Sequence, residues 1–328
     1  MADLEKNILV VIPVNEEHKK FLEERAASGD KNCCVRYVDG KEVTKADVEQ
    51  ANVIIGNVDP SLIAGAKELE LLQLNSAGAD LYIKAGVMPK QAVLANATGA
   101  YGLAVSEHML GLTFDLIRRL NQYHANQVEH VWKAMGNIIS VEGSTILVLG
   151  LGDIGGDYAR KVHALGAHVI GVRRTDREKP DYLDEQHTMD DLDSLLGRAD
   201  IVAMVLPGGA ATNHIMDERR LRLMKKGAYL INVGRGNAID PDGLYKVLKE
   251  GHLGGCGLDV TEPEPLPADH PLWDAPRTII TPHSAGKFHL RETFERIVRI
   301  TGENLEKYLA GEKDKMRNQV DVKTGNRK

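Results

Sequence analysis

Short runs of apolar and β-branched residues alternate along this chain with longer stretches whose apolar residues recur every three or four positions. The first pattern predicts buried strands and the second predicts amphipathic helices. Strands are predicted at residues 8–13, 33–38, 53–56, 71–75 and 93–95, and then at 145–149, 168–172, 201–204, 229–233, 255–258 and 278–281. Such alternation is typical of parallel sheets covered by helices on both faces.

The two series of strands predict an α/β fold with two doubly wound parallel-sheet domains. A long helix is expected at residues 103–120, between the two series, and another at 290–309, after the last strand. The late helix suggests that the chain returns to its first domain. We therefore expect a discontinuous domain of residues 1–99 plus 288–328 and a second domain of residues 100–287.

Composition excludes several classes of function. The 47 acidic residues outnumber the 41 basic ones, for a net charge of −6, whereas binding to nucleic acid or to an anionic membrane needs a basic face. No apolar run approaches the roughly 18 residues needed to span a bilayer, and the acidic N-terminus is unlike a signal peptide. Three cysteines form neither a disulfide framework nor a CxxC metal pair. We expect a cytoplasmic protein without metal.

A glycine-rich turn follows the strand at 145–149. Gly150, Gly152 and Gly155 fit the pattern G-x-G-x-x-G and lead into a predicted helix at 154–165. In this context the first glycine permits a tight turn, the second lets the backbone approach a pyrophosphate, and the third lets helix and strand pack closely. The free N–H groups of the helix N-terminus would hold the pyrophosphate. The alternative is a glycine-rich turn that binds nothing.

The end of the next strand bears on the choice of cofactor. An NAD site usually has an acidic residue there for the ribose 2′-hydroxyl, but this chain has Arg173, Arg174 and Thr175. A guanidinium binds a 2′-phosphate with paired, charge-assisted hydrogen bonds. We therefore expect NADP, with NAD as the alternative. The competing interpretation is that both arginines are merely solvated.

Three later segments, each directly after a strand, carry groups suited to hydride transfer on a 2-oxo acid. Arg235 lies between two glycines, Glu262 and Glu264 lie in a proline-rich turn after Asp259, and His283 follows Thr-Pro. An arginine can hold a carboxylate, a histidine can protonate an alkoxide, and an acid can tune the histidine. Because the C-terminal ends of parallel strands line the ligand crevice, these groups are expected to face one cleft.

These motifs together resemble the D-isomer-specific 2-hydroxyacid dehydrogenases, which use NAD or NADP, over essentially the whole chain. The segments 150–155, 232–236, 257–265 and 281–286 occur in the family's order, as do the loop 75–80 and residues 105–108, although Ser106 stands where the family more often has alanine. The resemblance implies a flavodoxin-like substrate domain and a Rossmann dinucleotide-binding domain. It also implies transfer of a hydride between the cofactor and a small D-2-hydroxy or 2-oxo acid, of the glyoxylate or hydroxypyruvate type.

The resemblance assigns roles by position. Arg235 corresponds to the substrate-binding arginine, Glu264 rather than Glu262 to the dyad carboxylate, and His283 to the general acid or base. The carboxylate of the substrate would lie on the backbone of Ser76, Ala77 and Gly78. The expected cofactor contacts are Gly150, Gly152, Asp153, Ile154, Gly155, Arg173, Arg174, Thr175, Leu206, Pro207, Thr212, Val233, Gly234, Asp259, His283 and Gly286.

These roles fit a physical mechanism. An ionised Glu264 beside His283 would favour the imidazolium, which can then donate a proton near neutral pH. Arg235 would orient the substrate and stabilise the charge that develops on its oxygen. Asp259 is expected near the nicotinamide, and the alternative role is a cap of the turn that follows it.

Other functions remain open at this point. One is a nicotinamide-sensing regulatory protein of the corepressor type, another is formate oxidation, and a third is phosphoglycerate oxidation. The intact Arg235, Glu264 and His283 set favours an enzyme over a sensor, and Glu264 disfavours formate oxidation. The region around Trp132 resembles the family's dimer-forming segment, so we expect a homodimer.

Overall fold

The computed structural model describes residues 6–28, 32–175 and 177–325, so the acidic residues 1–5 discussed above lie outside the described chain. The chain divides into two compact units. The first comprises Met1–Tyr101 together with Phe288–Lys328, and the second comprises Gly102–Lys287.

The first unit is built on a five-stranded parallel sheet. Its strands are β1 (Lys6–Val10), β2 (Cys33–Tyr37), β3 (Val53–Ile55), β4 (Leu71–Gln73) and β5 (Val93–Ala95). They lie in the order β2-β1-β3-β4-β5, the flavodoxin-like order. The helices are α1 (Glu16–Ala27), α2 (Lys45–Gln50), α3 (Pro60–Ile63) and α10 (Arg291–Leu309).

Strand β1 shows why this sheet needs helices on both faces. Ile8 and Val10 belong to one buried cluster, whereas Leu9 and Val11 belong to another. Neighbouring side chains of an extended chain point to opposite faces, so the apolar run that begins at Ile8 in β1 must be covered on both faces. Helix α10 contributes Leu305 to the cluster that contains Ile8 and Val10, and this packing places the end of the chain in the first unit.

The second unit is built on a seven-stranded parallel sheet. Its strands are β6 (Thr145–Leu149), β7 (His168–Arg173), β8 (Glu185–Thr188), β9 (Ile201–Met204), β10 (Tyr229–Asn232), β11 (Gly255–Leu258) and β12 (Thr278–Ile280). They lie in the order β12-β11-β10-β9-β6-β7-β8, which contains the Rossmann order. The helices are α4 (Gly102–Arg118), α5 (Leu120–Val128), α6 (Asp153–Ala164), α7 (Leu192–Leu196), α8 (Glu218–Leu223) and α9 (Pro241–Lys249).

The predicted fold class, two parallel α/β sheets, is confirmed. The eleven predicted strands all form: six are one or two residues shorter than expected, four have the expected bounds, and β7 is one residue longer. Strand β8 was not predicted, because its sequence Glu-Gln-His-Thr is polar and only half buried. It forms on the edge of the sheet, where its backbone pairs with β7.

Two further findings concern the described part of the chain. No helix in it is long and apolar enough to cross a membrane. A search of the same residues finds no group of three or more His, Cys, Asp or Glu side chains that could hold a metal ion.

Candidate functional site

The glycine-rich turn after β6 has the shape that a dinucleotide needs. Gly150 adopts φ +97°, a left-handed conformation, and a β-carbon there would lie 2.6 Å from the carbonyl oxygen of Val205. A β-carbon on Gly155 would lie 1.8 Å from the carbonyl oxygen of Gly150, so only glycine lets α6 start this close to the strand. Gly152, in contrast, faces open space. The turn therefore fits a pyrophosphate beside Gly152 at the N-terminus of α6.

Asp153 and Ile154 open α6, but the carboxylate of Asp153 has another partner. It accepts a hydrogen bond of 2.8 Å from the backbone N–H of Gly102, the first residue of α4. An acid stabilises the positive end of a helix dipole, so this contact favours the start of α4. Because its carboxylate is used in this way, we expect a contact between Asp153 and a phosphate to come from its main-chain N–H rather than from its side chain.

Basic side chains follow β7, where the ribose of a dinucleotide is expected. Arg173 is the last residue of the strand, and Arg174 and Thr175 after it are exposed. The Arg173 Nη1 atom lies 3.4 Å from Oε1 of Gln186 on the neighbouring strand β8. This partner is a neutral amide, so this contact does not itself neutralise the charge of the guanidinium.

The ends of β9 and β10 pack closely side by side. Leu206 and Val233 are buried, and a β-carbon on Gly234 would lie 2.6 Å from the carbonyl oxygen of Leu206. The hydroxyl of Thr212 donates a hydrogen bond of 2.7 Å to the carbonyl of Pro207, which closes the loop between them. These predicted cofactor contacts therefore follow the C-terminal ends of two paired strands, β9 and β10.

Arg235 follows β10 and is held by the residue that ends this strand. Asn232 is fully buried, and its side-chain amide donates to the carbonyl of Arg235 at 2.9 Å and accepts from the N–H of Gly234 at 3.0 Å. The guanidinium donates to the carbonyl of Gly234 at 2.8 Å. A β-carbon on Gly236 would lie 1.9 Å from the carbonyl oxygen of Thr261, so the backbone after Arg235 has little freedom.

The structure brings His283 and Glu264 together. The Nδ1 atom of His283 lies 2.6 Å from Oε1 of Glu264, and the two side chains are 46% and 42% exposed. An ionised carboxylate can only accept a hydrogen bond, so the proton of this contact belongs to Nδ1. The Nε2 atom is then the one that can exchange a proton with a substrate. The competing Glu262 instead pairs with His214, at 3.1 Å.

Asp259 turns toward the loop that carries His283. Its carboxylate is buried and accepts hydrogen bonds from the hydroxyl of Thr281 at 2.6 Å and from the backbone N–H groups of Ser284 at 2.9 Å and Ala285 at 3.1 Å. The sequence left two roles open for Asp259, a nicotinamide contact and a turn cap. These hydrogen bonds go instead to the turn of residues 281–285, which lies 22 or more positions along the chain, and Gly286 follows directly after that turn.

The loop of Ser76, Ala77 and Gly78 belongs to the first unit, where hydrogen bonds from neighbouring side chains hold it. The hydroxyl of Ser76 donates to the carbonyl of Gly78 at 2.7 Å. Asn96 donates to the carbonyl of Ala77 at 2.7 Å, and the hydroxyl of Tyr101 donates to the carbonyl of Asn75 at 2.5 Å. Burial raises the pKa of Tyr101 well above its ordinary value, so its phenol stays protonated and keeps this bond.

Sequence reasoning missed Asn96 and Tyr101, along with Asn57, whose amide donates to the hydroxyl of Ser76 at 3.0 Å. Each lies 18 or more positions from its partner in the loop, and no local motif links them. The available signal was chemical only: Asn96 follows a buried strand directly, where a polar side chain needs a partner.

A family model matches the second unit. Residues 110–285 match the model described as "D-isomer specific 2-hydroxyacid dehydrogenase, NAD binding domain". The chain belongs to the D-isomer specific 2-hydroxyacid dehydrogenase family. This confirms the resemblance drawn from the motifs.

Relatives of this family member span nearly its whole length. Glyoxylate/hydroxypyruvate reductase B of Pectobacterium carotovorum is 30% identical over 90% of this chain and 94% of that protein. D-3-phosphoglycerate dehydrogenase of Methanocaldococcus jannaschii is 30% identical over 93% of this chain but only 58% of that protein. A crystal structure of a D-isomer specific 2-hydroxyacid dehydrogenase family protein from Aeromonas salmonicida is 30% identical and covers 97% of this chain and 99% of that one, with a TM-score of 0.83.

Proposed function

We propose that this protein is an oxidoreductase that interconverts a small D-2-hydroxy acid and its 2-oxo acid with a nicotinamide cofactor. The observation that carries the proposal is the His283–Glu264 contact of 2.6 Å, in the loop after the last strand of the dinucleotide-binding unit. A proton donor held in place by a carboxylate suits the reduction of a ketone, because the alkoxide must be protonated. Family membership supports the same reaction class.

The proposed mechanism assigns a separate task to each side chain. A bound nicotinamide supplies or accepts the hydride at C2. His283 donates a proton from Nε2 to the forming alkoxide, and in the reverse direction it removes the proton from the hydroxyl. Glu264 holds Nδ1 and stabilises the charged imidazole. Arg235 binds the carboxylate and the carbonyl oxygen of the substrate, which orients C2.

The glycine turn and the loop of the first unit have binding roles in this proposal. The N-terminus of α6 would hold the pyrophosphate through main-chain N–H groups around Gly152 and Ile154. The backbone at Ser76, Ala77 and Gly78 would offer N–H groups to the carboxylate of the substrate.

Glyoxylate and hydroxypyruvate are the substrates we favour. The support is the similarity to glyoxylate/hydroxypyruvate reductase B. Oxidation of NADPH and of NADH should be measured with glyoxylate, hydroxypyruvate and pyruvate, and reduction of both oxidised cofactors with glycerate and 3-phosphoglycerate. The greatest kcat/KM is expected for glyoxylate or hydroxypyruvate. A greater value for 3-phosphoglycerate would support the second candidate, which the similarity to D-3-phosphoglycerate dehydrogenase favours.

The same assay separates an enzyme from a nicotinamide-sensing regulator. A regulator binds the dinucleotide, as a fluorescence titration would detect, but it does not need to turn over any of these acids. If the protein binds NADPH but oxidises it with none of the acids tested, the proposal that it is an enzyme is rejected.

We propose NADP as the preferred cofactor, supported by Arg173 at the end of β7 and its neutral partner Gln186. Replacing Arg173 with aspartate should lower kcat/KM for NADPH by about 100-fold, because one charge-assisted hydrogen bond to the 2′-phosphate contributes about 1.5–3 kcal/mol and the new carboxylate adds repulsion. The value for NADH should change much less. Initial rates with both cofactors measure the ratio.

The matched control for Arg173→Asp is Lys249→Asp, which makes the same change of charge at an exposed position of α9. It should leave the NADPH to NADH ratio unchanged. A wild-type protein that prefers NADH, or a ratio that Arg173→Asp does not move, would contradict the assignment.

We also propose that the protein forms a homodimer through the segment of residues 120–140. Trp132 is fully exposed, and Leu120, Val128 and Val131 are more than 45% exposed. Such a concentration of apolar surface is usually covered by a partner subunit, and closed symmetric dimers are the commonest way to cover it. Light scattering at micromolar protein should give twice the mass of one chain, and a monomeric mass would contradict this.

A further inference from the structure

His108 lies on α4, away from every motif that the mechanism uses, yet it contacts the loop of His283. Its Nε2 atom is 3.0 Å from the hydroxyl oxygen of Thr281, the residue that follows β12. The same nitrogen is 3.7 Å from Oδ1 of Asp259, and the imidazole is about a quarter exposed. The side chains of His108, Thr281 and Asp259, which are far apart in the sequence of the second unit, therefore meet beside the loop that carries His283.

The hydrogen bonds in this group have a definite direction. The hydroxyl of Thr281 has one proton and donates it to the carboxylate of Asp259, at 2.6 Å. Its oxygen must then accept the bond from His108, so Nε2 of His108 carries a proton. The bonds run from His108 to Thr281 and from Thr281 to Asp259.

Asp259 connects these hydrogen bonds to the backbone around His283. Its carboxylate accepts from the N–H groups of Ser284 and Ala285, and its carbonyl accepts from the N–H of His283 at 2.8 Å. His283 adopts φ +49°, in the left-handed region. This conformation is unfavourable for a residue with a β-carbon, so surrounding contacts have to hold it.

The dyad cannot hold this conformation by itself. His283 and Glu264 are both more than 40% exposed. Exposed ion pairs contribute little to stability, because water competes for both partners. The buried bonds of Asp259 are therefore the main restraint on the turn.

We propose that His108 and Thr281 are positioning residues for His283. Through Asp259 they hold residues 281–285 in the one turn that keeps Nδ1 of His283 on Glu264 and leaves Nε2 for the substrate. The proposal rests on the proposed function, because it takes His283 as the proton donor. Neither residue touches the reacting atoms.

The first test replaces Thr281 with valine, which has the same shape but no hydroxyl. We expect kcat to fall by about 10- to 100-fold, since a misplaced reacting group costs up to about that much, while the Kd for NADPH changes less than twofold. Thr281→Ser keeps the hydroxyl and should restore most of kcat. Likewise His108→Leu should lower kcat, and His108→Gln, which retains an N–H donor, should recover part of it.

The matched control is Thr278→Val, which removes a hydroxyl from β12 three residues earlier. It should leave kcat unchanged. A melting temperature for each variant shows that the fold persists under the assay conditions.

A double-mutant cycle separates positioning from general damage. In a His283→Ala background, Thr281→Val should cause no further loss of kcat, because there is no imidazole left to position. The same loss in both backgrounds would overturn the proposal, and so would a Thr281→Val variant with more than half of the wild-type kcat.

Hydrogen exchange gives a readout that does not depend on turnover. The amides of Ser284 and Ala285 should exchange at least about tenfold faster in Thr281→Val than in the wild type or in Thr281→Ser, because their acceptor loses its support. Unchanged exchange would overturn the positioning role whatever the activity. If the amides exchange faster in Thr281→Val but the wild-type protein reduces none of the 2-oxo acids, the restraint on the turn is supported and the proposed function is rejected.

Discussion

Replacing His283 with alanine is expected to lower kcat about 10²- to 10⁴-fold for every 2-oxo acid that the wild type reduces. This is the usual contribution of a positioned proton donor. The Nδ1 atom of His283 lies 2.6 Å from Glu264, and in the proposed mechanism this contact leaves Nε2 for the substrate. Steady-state kinetics at saturating NADPH measures the effect, and the Kd for NADPH should change little because proton transfer is lost and the dinucleotide turn is retained.

The chain contains a close control for this experiment. His214 also pairs with a glutamate of the same acidic loop, Glu262, at 3.1 Å and with similar exposure. His214→Ala removes an equivalent ion pair and should retain most of kcat. Near wild-type activity of His283→Ala, or equal losses in the two variants, would show that His283 is not the proton donor.

Replacing Arg235 with methionine should lower kcat/KM for the oxo acid by about 100- to 1,000-fold. Truncating one partner of a hydrogen-bonded charge pair usually costs about 2–5 kcal/mol, and this substitution leaves the carboxylate of the substrate without its partner. Much of the loss should appear as a raised KM, since the carboxylate is bound in the ground state as well as in the transition state.

Arg235→Lys tests the geometry of the guanidinium. Lysine keeps the charge but cannot form two parallel hydrogen bonds, so it should recover only part of the loss. Arg219→Ala, which removes an exposed arginine paired with Asp193, serves as the control and should leave KM unchanged. An Arg235→Met variant with a wild-type KM for each accepted acid would rule out the proposed substrate contact.

The fold was predictable because its signals are local. Strands β5, β6, β9 and β11 have the predicted bounds, since each is a compact apolar run next to a turn. The glycine turn was equally readable, because its three glycines have a fixed spacing directly after a strand, although the close contact that requires glycine at position 150 is with Val205, far along the chain. Strand β8 lacked such a signal, since its backbone pairing with β7 depends on tertiary structure and its side chains are polar.

The candidate site was only partly predictable. The positions of Arg235 and His283 after strands follow from the topology of a parallel sheet. The choice between Glu264 and Glu262 had no local basis beyond the family resemblance, because both are acids in one proline-rich turn. Their partners are 19 and 48 residues away, at His283 and His214, and only the folded chain brings these pairs together.

The sequence by itself determined two doubly wound sheets, the glycine turn and the family, and it predicted candidate residues for the chemistry. Each of these depends on the order and type of residues within a short stretch. The tertiary structure alone decided how individual side chains are used: Asp153 caps α4, Asp259 holds the turn of His283, and His108 reaches Thr281, 173 positions away. A polar side chain takes the partner that folding brings within about 3 Å, and sequence spacing does not encode that distance.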